Sequence, residues 1–468
     1  LLSSSFFFLF FKKRIRIIAP ATTTADEFEY KNNQLIENAY SSGAINCLST
    51  ADLVNWTDCG SVDIRASDVK WAHNTWAPAA AHKVIDGKEK FFLYFADSAN
   101  GIGVLTADSP TGPFTDPLGH GLITRKTPTC ENITWLFDPA VLIDDDGTGY
   151  LYFGGGVPGG NKPSPEQIER PGNARVVKLN DDMISLADTP VVIDVPFLFE
   201  DSGINKFNGK YYYSYCTNWS VPEGQIVTNG QIAYMTSDNP LGPYTFQGVV
   251  LRNPGEFFGD WGNNHHCMFT FKNKNYMSYH TRILEAAQFI KHGYRSTSIE
   301  YVTVQDDGKL ADIICTKKGV EQVVALNPYE KTSAATMATQ SSIETQPCDK
   351  LSIYYHSGAM SVKAKKAGAW MFLEGVDFSA DGKAGASAIT AGIKCTEKNN
   401  SLIEIFIDAT DIDNPGEKIG EIDLSKVSCG EEFQEVSAKL IKSVSGKHNV
   451  VFLFTDVGAE WKDWQFVE

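Results

Sequence analysis

The sequence predicts an all-β protein, a five-bladed β-propeller followed by a β-sandwich of jelly-roll type. Three observations support this. A turn phrase recurs about every sixty residues, aromatic alternating segments follow the turns, and the pattern changes after Tyr329. The composition agrees: 28 Phe, 18 Tyr, 9 Trp and 39 Gly among 468 residues favour strands and tight turns over helices.

The turn phrases begin at Lys31, Asp86, Asp146, Asn208 and Lys272, with successive starts 55, 60, 62 and 64 residues apart. All but the first lead into an aromatic strand, the pattern of a hairpin closed by a primed turn. A second phrase, ADSPTGPF at 107–114, returns as SDNPLGPY at 237–244 and reads as a turn between outer strands. Five such units fit within residues 21–325. Residues 327–468 carry shorter alternating strands without the sixty-residue phrase, and read as the sandwich. The first twenty residues, with an apolar run ahead of a basic cluster, are expected to be an unstructured remnant. That order is the reverse of a signal peptide, and the run is too short to span a bilayer.

The net charge of −16 disfavours nucleic acid and anionic membranes as partners and suits a neutral ligand such as a sugar. The nine cysteines form no CxxC pair and no zinc signature. Sequons occur at Asn55, Asn132, Asn218 and Asn399.

Candidate site residues follow from the phase of the repeat. Asp138, Glu200 and Asn264 each stand eight residues before a turn, His265 and His266 adjoin Asn264, and Asp26 lies five before Lys31. In the second unit the phrase WAPAAAHKVIDG offers Trp76 and Ala79 instead. The innermost strands of a propeller line one channel, so residues at a shared phase converge on its axis. Two carboxylates flanking a sugar are the minimum for glycoside hydrolysis, one giving a proton to the leaving oxygen and the other serving water or the sugar itself. A raised pKa suits the donor, and burial with a second carboxylate nearby provides one.

The ordered motifs SxxDLVNWTDxG (49–60), NTWAP (74–78), ADSPTGPF, FDPAVLIDDDGTGYLYFGG, FEDSGINKFNGKYYYSY, GNNHHCMFTF and GYRS (293–296) together resemble glycoside hydrolase family 43, most nearly its arabinofuranosidases acting on arabinoxylan. The resemblance implies a five-bladed propeller and an inverting reaction on arabinoxylan or arabinan, with related β-xylosidase chemistry open. It implies Glu200 as general acid and Asp138 as the carboxylate that orients substrate and tunes the acid. Trp76, Asn264, His265 and Arg295 take substrate-pocket positions. His266 falls beside a structural calcium, and no organic cofactor is implied. The family places its base in an Ala-Asp-Pro phrase of the first blade; here Ala25-Asp26-Glu27 stands there, and Asp26 takes the role. A secreted monomer without membrane attachment is expected.

The C-terminal part resembles a carbohydrate-binding module of family 6, but Ser361, Glu432 and Glu460 occupy positions where that family binds sugar, with Phe433 or Trp461 as substitutes. Weak or absent binding is expected there. Two other readings stay open at this stage: a non-catalytic sugar-binding protein with a degenerate first blade, and a propeller scaffold for protein contacts.

Overall fold

A computed structural model describes residues 9–10, 17–22, 28–31, 34–37, 43–64, 69–262, 264–287, 295–348, 359–409 and 414–468. It divides into two compact units. One centres on Ser61–Val320 with Ile18–Asn46, and the other joins Cys47–Gly60 to Glu321–Glu468.

The first unit is the propeller. Its second blade comprises Trp76–Ile85, Lys88–Ala96, Gly101–Ala107 and Ile123–Thr124. The third comprises Ala140–Ile143, Gly149–Phe153, Ala174–Lys178 and Val191–Ile193. Leu198–Phe207, Lys210–Thr217, Ile232–Ser237 and Thr245–Leu251 make the fourth, and His266–Phe271, Lys274–Thr281 and Ser296–Val302 the fifth. Within each blade the strands are antiparallel neighbours in chain order. The first strands of successive blades adjoin one another, which sets them around the axis.

The hairpins close as their sequences dictate. Asp86-Gly87, Asn208-Gly209 and Lys272-Asn273 each hold two consecutive positive φ angles, the requirement of a primed turn that matches strand twist. The ADSPTGPF and SDNPLGPY phrases bend the chain between the third and fourth strands of blades two and four.

Strand alternation explains how the blades stick together. In Lys210–Thr217 the odd residues Tyr211, Tyr213 and Tyr215 join the apolar cluster shared with blade three. The even residues Tyr212 and Cys216 join the cluster shared with blade five. Both faces of this strand are therefore covered, and each buried ring removes on the order of 150–250 Å² from water.

Before residue 65 the pattern departs from expectation. The hairpin Phe28–Lys31 with Gln34–Glu37 stands as a two-stranded sheet of its own. Ile17–Thr22, which begins within the stretch expected to be unstructured, is a strand beside Ala44–Thr50.

The second unit is a β-sandwich. One sheet contains Ile343–Pro347, Met360–Ala364, Glu460–Val467, Ala386–Lys394 and Gln434–Val444. The other contains Thr339–Ser341, Ala369–Asp377, Lys447–Phe454, Leu402–Ile407 and Glu417–Asp423. Between them Trp461, Trp464, Phe452 and Phe454 are buried with the aliphatic side chains of both sheets. The sequence reading placed residues 47–60 in the propeller, whereas they group here with the sandwich. Asp52 Oδ2 accepts from Gln322 Nε2 at 3.1 Å, and Asn55 exchanges hydrogen bonds with the backbone of Glu374 at 2.8 and 2.9 Å. Thr336–Met337 also pairs with Trp56 and Thr57.

Candidate active site

Asp138 and Glu200 sit where two inner strands begin, and both depend on local backbone irregularity. Asp138 lies two residues before Ala140–Ile143 with φ +50°, a conformation an L residue holds only when its surroundings enforce it. Glu200 lies in Leu198–Phe207, whose pairing register slips on both sides of it, and Asp201 follows with φ +70°. A regular strand would send residues 200 and 201 to opposite faces. The bulge lets both carboxylates turn toward one imidazole, that of His265.

His265 is the hub. Its Nε2 stands 3.3 Å from Glu200 Oε1 and 3.8 Å from Asp138 Oδ2, while its Nδ1 stands 3.7 Å from Asp201 Oδ1. His280 stacks on it at 5.7 Å and 26°, and accepts a hydrogen bond from the His265 backbone N–H at 3.2 Å. All five acidic and imidazole groups are buried. Burial alone would disfavour the imidazolium, but Asp201, Glu200 and Asp138 together outweigh it and raise His265 to about 10. Asp138 is raised to about 7, first by burial and then by the negative charge of Glu200 and Asp201, against the opposing pull of His265.

Asp201 was not singled out from the sequence, yet it organises the site. Its backbone N–H donates to Asp138 Oδ2 at 2.7 Å. Its own Oδ2 accepts from the His266 backbone N–H at 2.9 Å and lies 2.5 Å from His266 Nδ1. His266 Nε2 in turn lies 2.6 Å from Ser214 Oγ. The signal in the sequence is the pair of adjacent acids in FED. His280, also missed, is marked by the hairpin at Lys272-Asn273, whose register sets Tyr279 opposite His266.

The other expected site residues fall in different places. Asn264 is fully buried and donates from Nδ2 to the Gly230 carbonyl at 3.0 Å, rather than to either carboxylate. Trp76 is half-buried at a register slip that opens the second blade's inner strand. Arg295 is buried just ahead of Ser296–Val302. Asp26 lies outside the described residues.

Asp138, Glu200 and His265 offer ligand atoms within 4.8 Å of one another, a spacing that could hold a metal ion. The chemistry fits calcium poorly. That cation takes six to eight oxygen ligands, whereas this trio supplies two carboxylates and one imidazole nitrogen. Both ring nitrogens of His266 already face protein partners.

Carboxylates gathered on one buried imidazole at the inner ends of propeller strands are equipped for the proton transfers of glycoside hydrolysis. Asp138 and Glu200 offer carboxylate oxygens within 4.8 Å of each other, closer than the roughly 6.5–9.5 Å between the acid and base of an inverting pair. Residues 22–310 match Glycosyl hydrolases family 43. Over 462 residues the chain is 41% identical to an arabinoxylan arabinofuranohydrolase of Paenibacillus polymyxa, covering 95% of this chain and 70% of that one. Over 460 residues it is 40% identical to an arabinoxylan arabinofuranohydrolase of Bacillus subtilis (strain 168), covering 95% and 87%. The crystal structure of a Bacillus subtilis family 43 arabinoxylan arabinofuranohydrolase in complex with cellotetraose superposes with a TM-score of 0.90 at 38% identity, covering 100% of this chain and 96% of that one. The chain belongs to glycosyl hydrolase family 43 and is a glycosidase.

Proposed function

We propose that the protein releases α-L-arabinofuranosyl side groups from arabinoxylan with inversion at the anomeric carbon. The observation that carries this reading is the placement of Glu200 Oε1 3.3 Å from the imidazolium of His265, beside Asp138. Glu200 is assigned as the general acid that gives a proton to the glycosidic oxygen as the bond from that oxygen to C1 breaks. The carboxylate left behind faces His265, so its charge is not stranded in a buried site. Water attacks C1 from the opposite face and loses its proton to a base, the role we assign to Asp26. Asp138, fixed by the Asp201 N–H, orients the sugar and tunes the charge around Glu200. Trp76 and Arg295 are assigned to the substrate pocket. Calcium near His266 is assigned no step, because the described residues do not build a cage for it.

We assign the reaction to the outside of the cell, because a polymeric substrate does not cross a membrane. The sandwich is assigned a structural role. Trp461 is fully buried against Phe452 at 4.8 Å, and Phe433 has Lys394 and Lys462 over its ring at 5.1 and 5.7 Å. Trp461 has no exposed face, and two lysines lie over the Phe433 ring.

The test is to follow wheat arabinoxylan digestion by proton NMR. The β anomer of arabinofuranose should appear first, with the α anomer growing in by mutarotation. Release of the α anomer first, or no arabinose at all, would sink the proposal.

A further inference from the structure

Away from the active site, the sandwich holds two thiols side by side. Cys395 follows the strand Ala386–Lys394, and Cys429 precedes Gln434–Val444. The two residues form an isolated parallel bridge, with the Gly430 N–H donating to the Cys395 carbonyl at 2.9 Å. Directly paired residues on neighbouring strands lie about 4.8 Å apart and present their side chains to the same face. That separation falls inside the window of about 4.4–6.8 Å between Cα atoms that a disulfide needs. The strands on either side, Ala386–Lys394 and Gln434–Val444, pair with each other, which holds the two segments as neighbours.

We propose that Cys395 and Cys429 are an oxidation site that closes to an intramolecular disulfide when the folded protein meets a small-molecule disulfide. Exposure sets the order of events. Cys429 is exposed and Cys395 is fully buried. Burial, and then the neighbouring Cys429, raise the Cys395 thiol above its ordinary value. The Cys429 thiolate attacks one sulfur of the oxidant, releasing one small thiol and forming a mixed disulfide. Cys395 then loses its proton and attacks the Cys429 sulfur, and the second small thiol leaves. Two protein thiols are oxidised and one disulfide is reduced to two thiols. The link ties together residues that flank Leu402–Ile407 and Glu417–Asp423 of the opposite sheet. It therefore restricts the unfolded chain across much of the sandwich.

A second pair serves as an internal control. Cys47 and Cys59 also adjoin each other, and the hydrogen bond between their sulfurs, together with burial, raises the Cys47 thiol well above its usual value. Both are buried, so an oxidant in solution has no exposed sulfur to attack first.

The experiment treats the full chain with oxidised glutathione at pH 8, alkylates remaining thiols and maps peptides without reduction. A peptide joining Cys395 to Cys429 is expected, together with a rise of about 5 °C in the sandwich unfolding midpoint that dithiothreitol reverses. Cys429→Ser, at an exposed position, should fold normally and lose both effects. Recovery of both residues as alkylated thiols would overturn the proposal, as would Cys429 stopping as a glutathione adduct, or its linkage to another cysteine or a second chain. A link that leaves the midpoint unchanged or lowers it would also overturn it.

Discussion

The backbone N–H of Asp201 holds Asp138 Oδ2 at 2.7 Å, while the Asp201 carboxylate engages His266 and faces His265. One residue thus fixes the carboxylate partner of Glu200 and supplies charge to the imidazolium between them. Its left-handed backbone makes the geometry possible, since φ +70° places the N–H and the side chain toward the same cluster. Asp201→Asn preserves the N–H and removes the charge. Its arabinose release should fall about tenfold to a hundredfold, with the pH profile shifted and the circular dichroism spectrum unchanged. A profile that superposes on wild type would show that the charge of Asp201 plays no part.

The raised pKa of Asp138 has a stability consequence. Its folded value of about 7 lies above the ordinary carboxylate value of about 3.9. The associated stability is therefore fully present below about pH 4 and is lost as pH rises through 7. Asp138→Asn mimics the protonated form. It should unfold at higher denaturant than wild type at pH 8, by on the order of 2–4 kcal/mol, and the gap should vanish near pH 4. Equal stabilities at pH 8 would contradict the assignment, whatever the variant's activity.

His265 is shifted in the same direction from the opposite charge type. An imidazolium held to about 10 contributes stability that is complete below about 6.5 and is lost as pH rises through 10. Its ring protons should show no titration between pH 5 and 8.5 by NMR. His265→Gln should destabilise the fold most at neutral pH, where the surrounding carboxylates lose their counter-charge. Titration of this ring near 6.5 would contradict the hub described above.

Much of this was legible in the sequence, for physical reasons that also mark where legibility stopped. The turn phrases located blades two to five, because Asp86-Gly87 and Asn208-Gly209 name their own backbone conformation. The eight-residue offset pointed at Asp138, Glu200 and Asn264; the structure gathers the first two around His265, while the Asn264 amide serves the Gly230 carbonyl. A bulge moves side chains by one position, and alternation along a strand gives no sign of it. Asp201 was hidden for the same reason. The grouping of Cys47–Gly60 with the sandwich depends on contacts between residues some 270 positions apart, such as Asp52 with Gln322.

In the sandwich, Trp461→Ala removes a fully buried ring packed edge-on against Phe452. It should cost about 3–5 kcal/mol of unfolding free energy. Phe433→Ala should leave retention on insoluble xylan unchanged in a pull-down assay, because lysines already cover that ring. A clear loss of retention in Phe433→Ala would restore a sugar-binding role to the module.

In the proposed reaction Glu200 donates the proton to the leaving oxygen. The most direct measurement compares the wild type with Glu200→Gln on arabinoxylan and on an aryl arabinofuranoside whose leaving group needs no proton. The expected result is a loss of about 10²–10⁴ on arabinoxylan and a much smaller loss on the aryl substrate, with the fold intact. Retention of arabinoxylan activity within tenfold, or equal losses on both substrates, would contradict it.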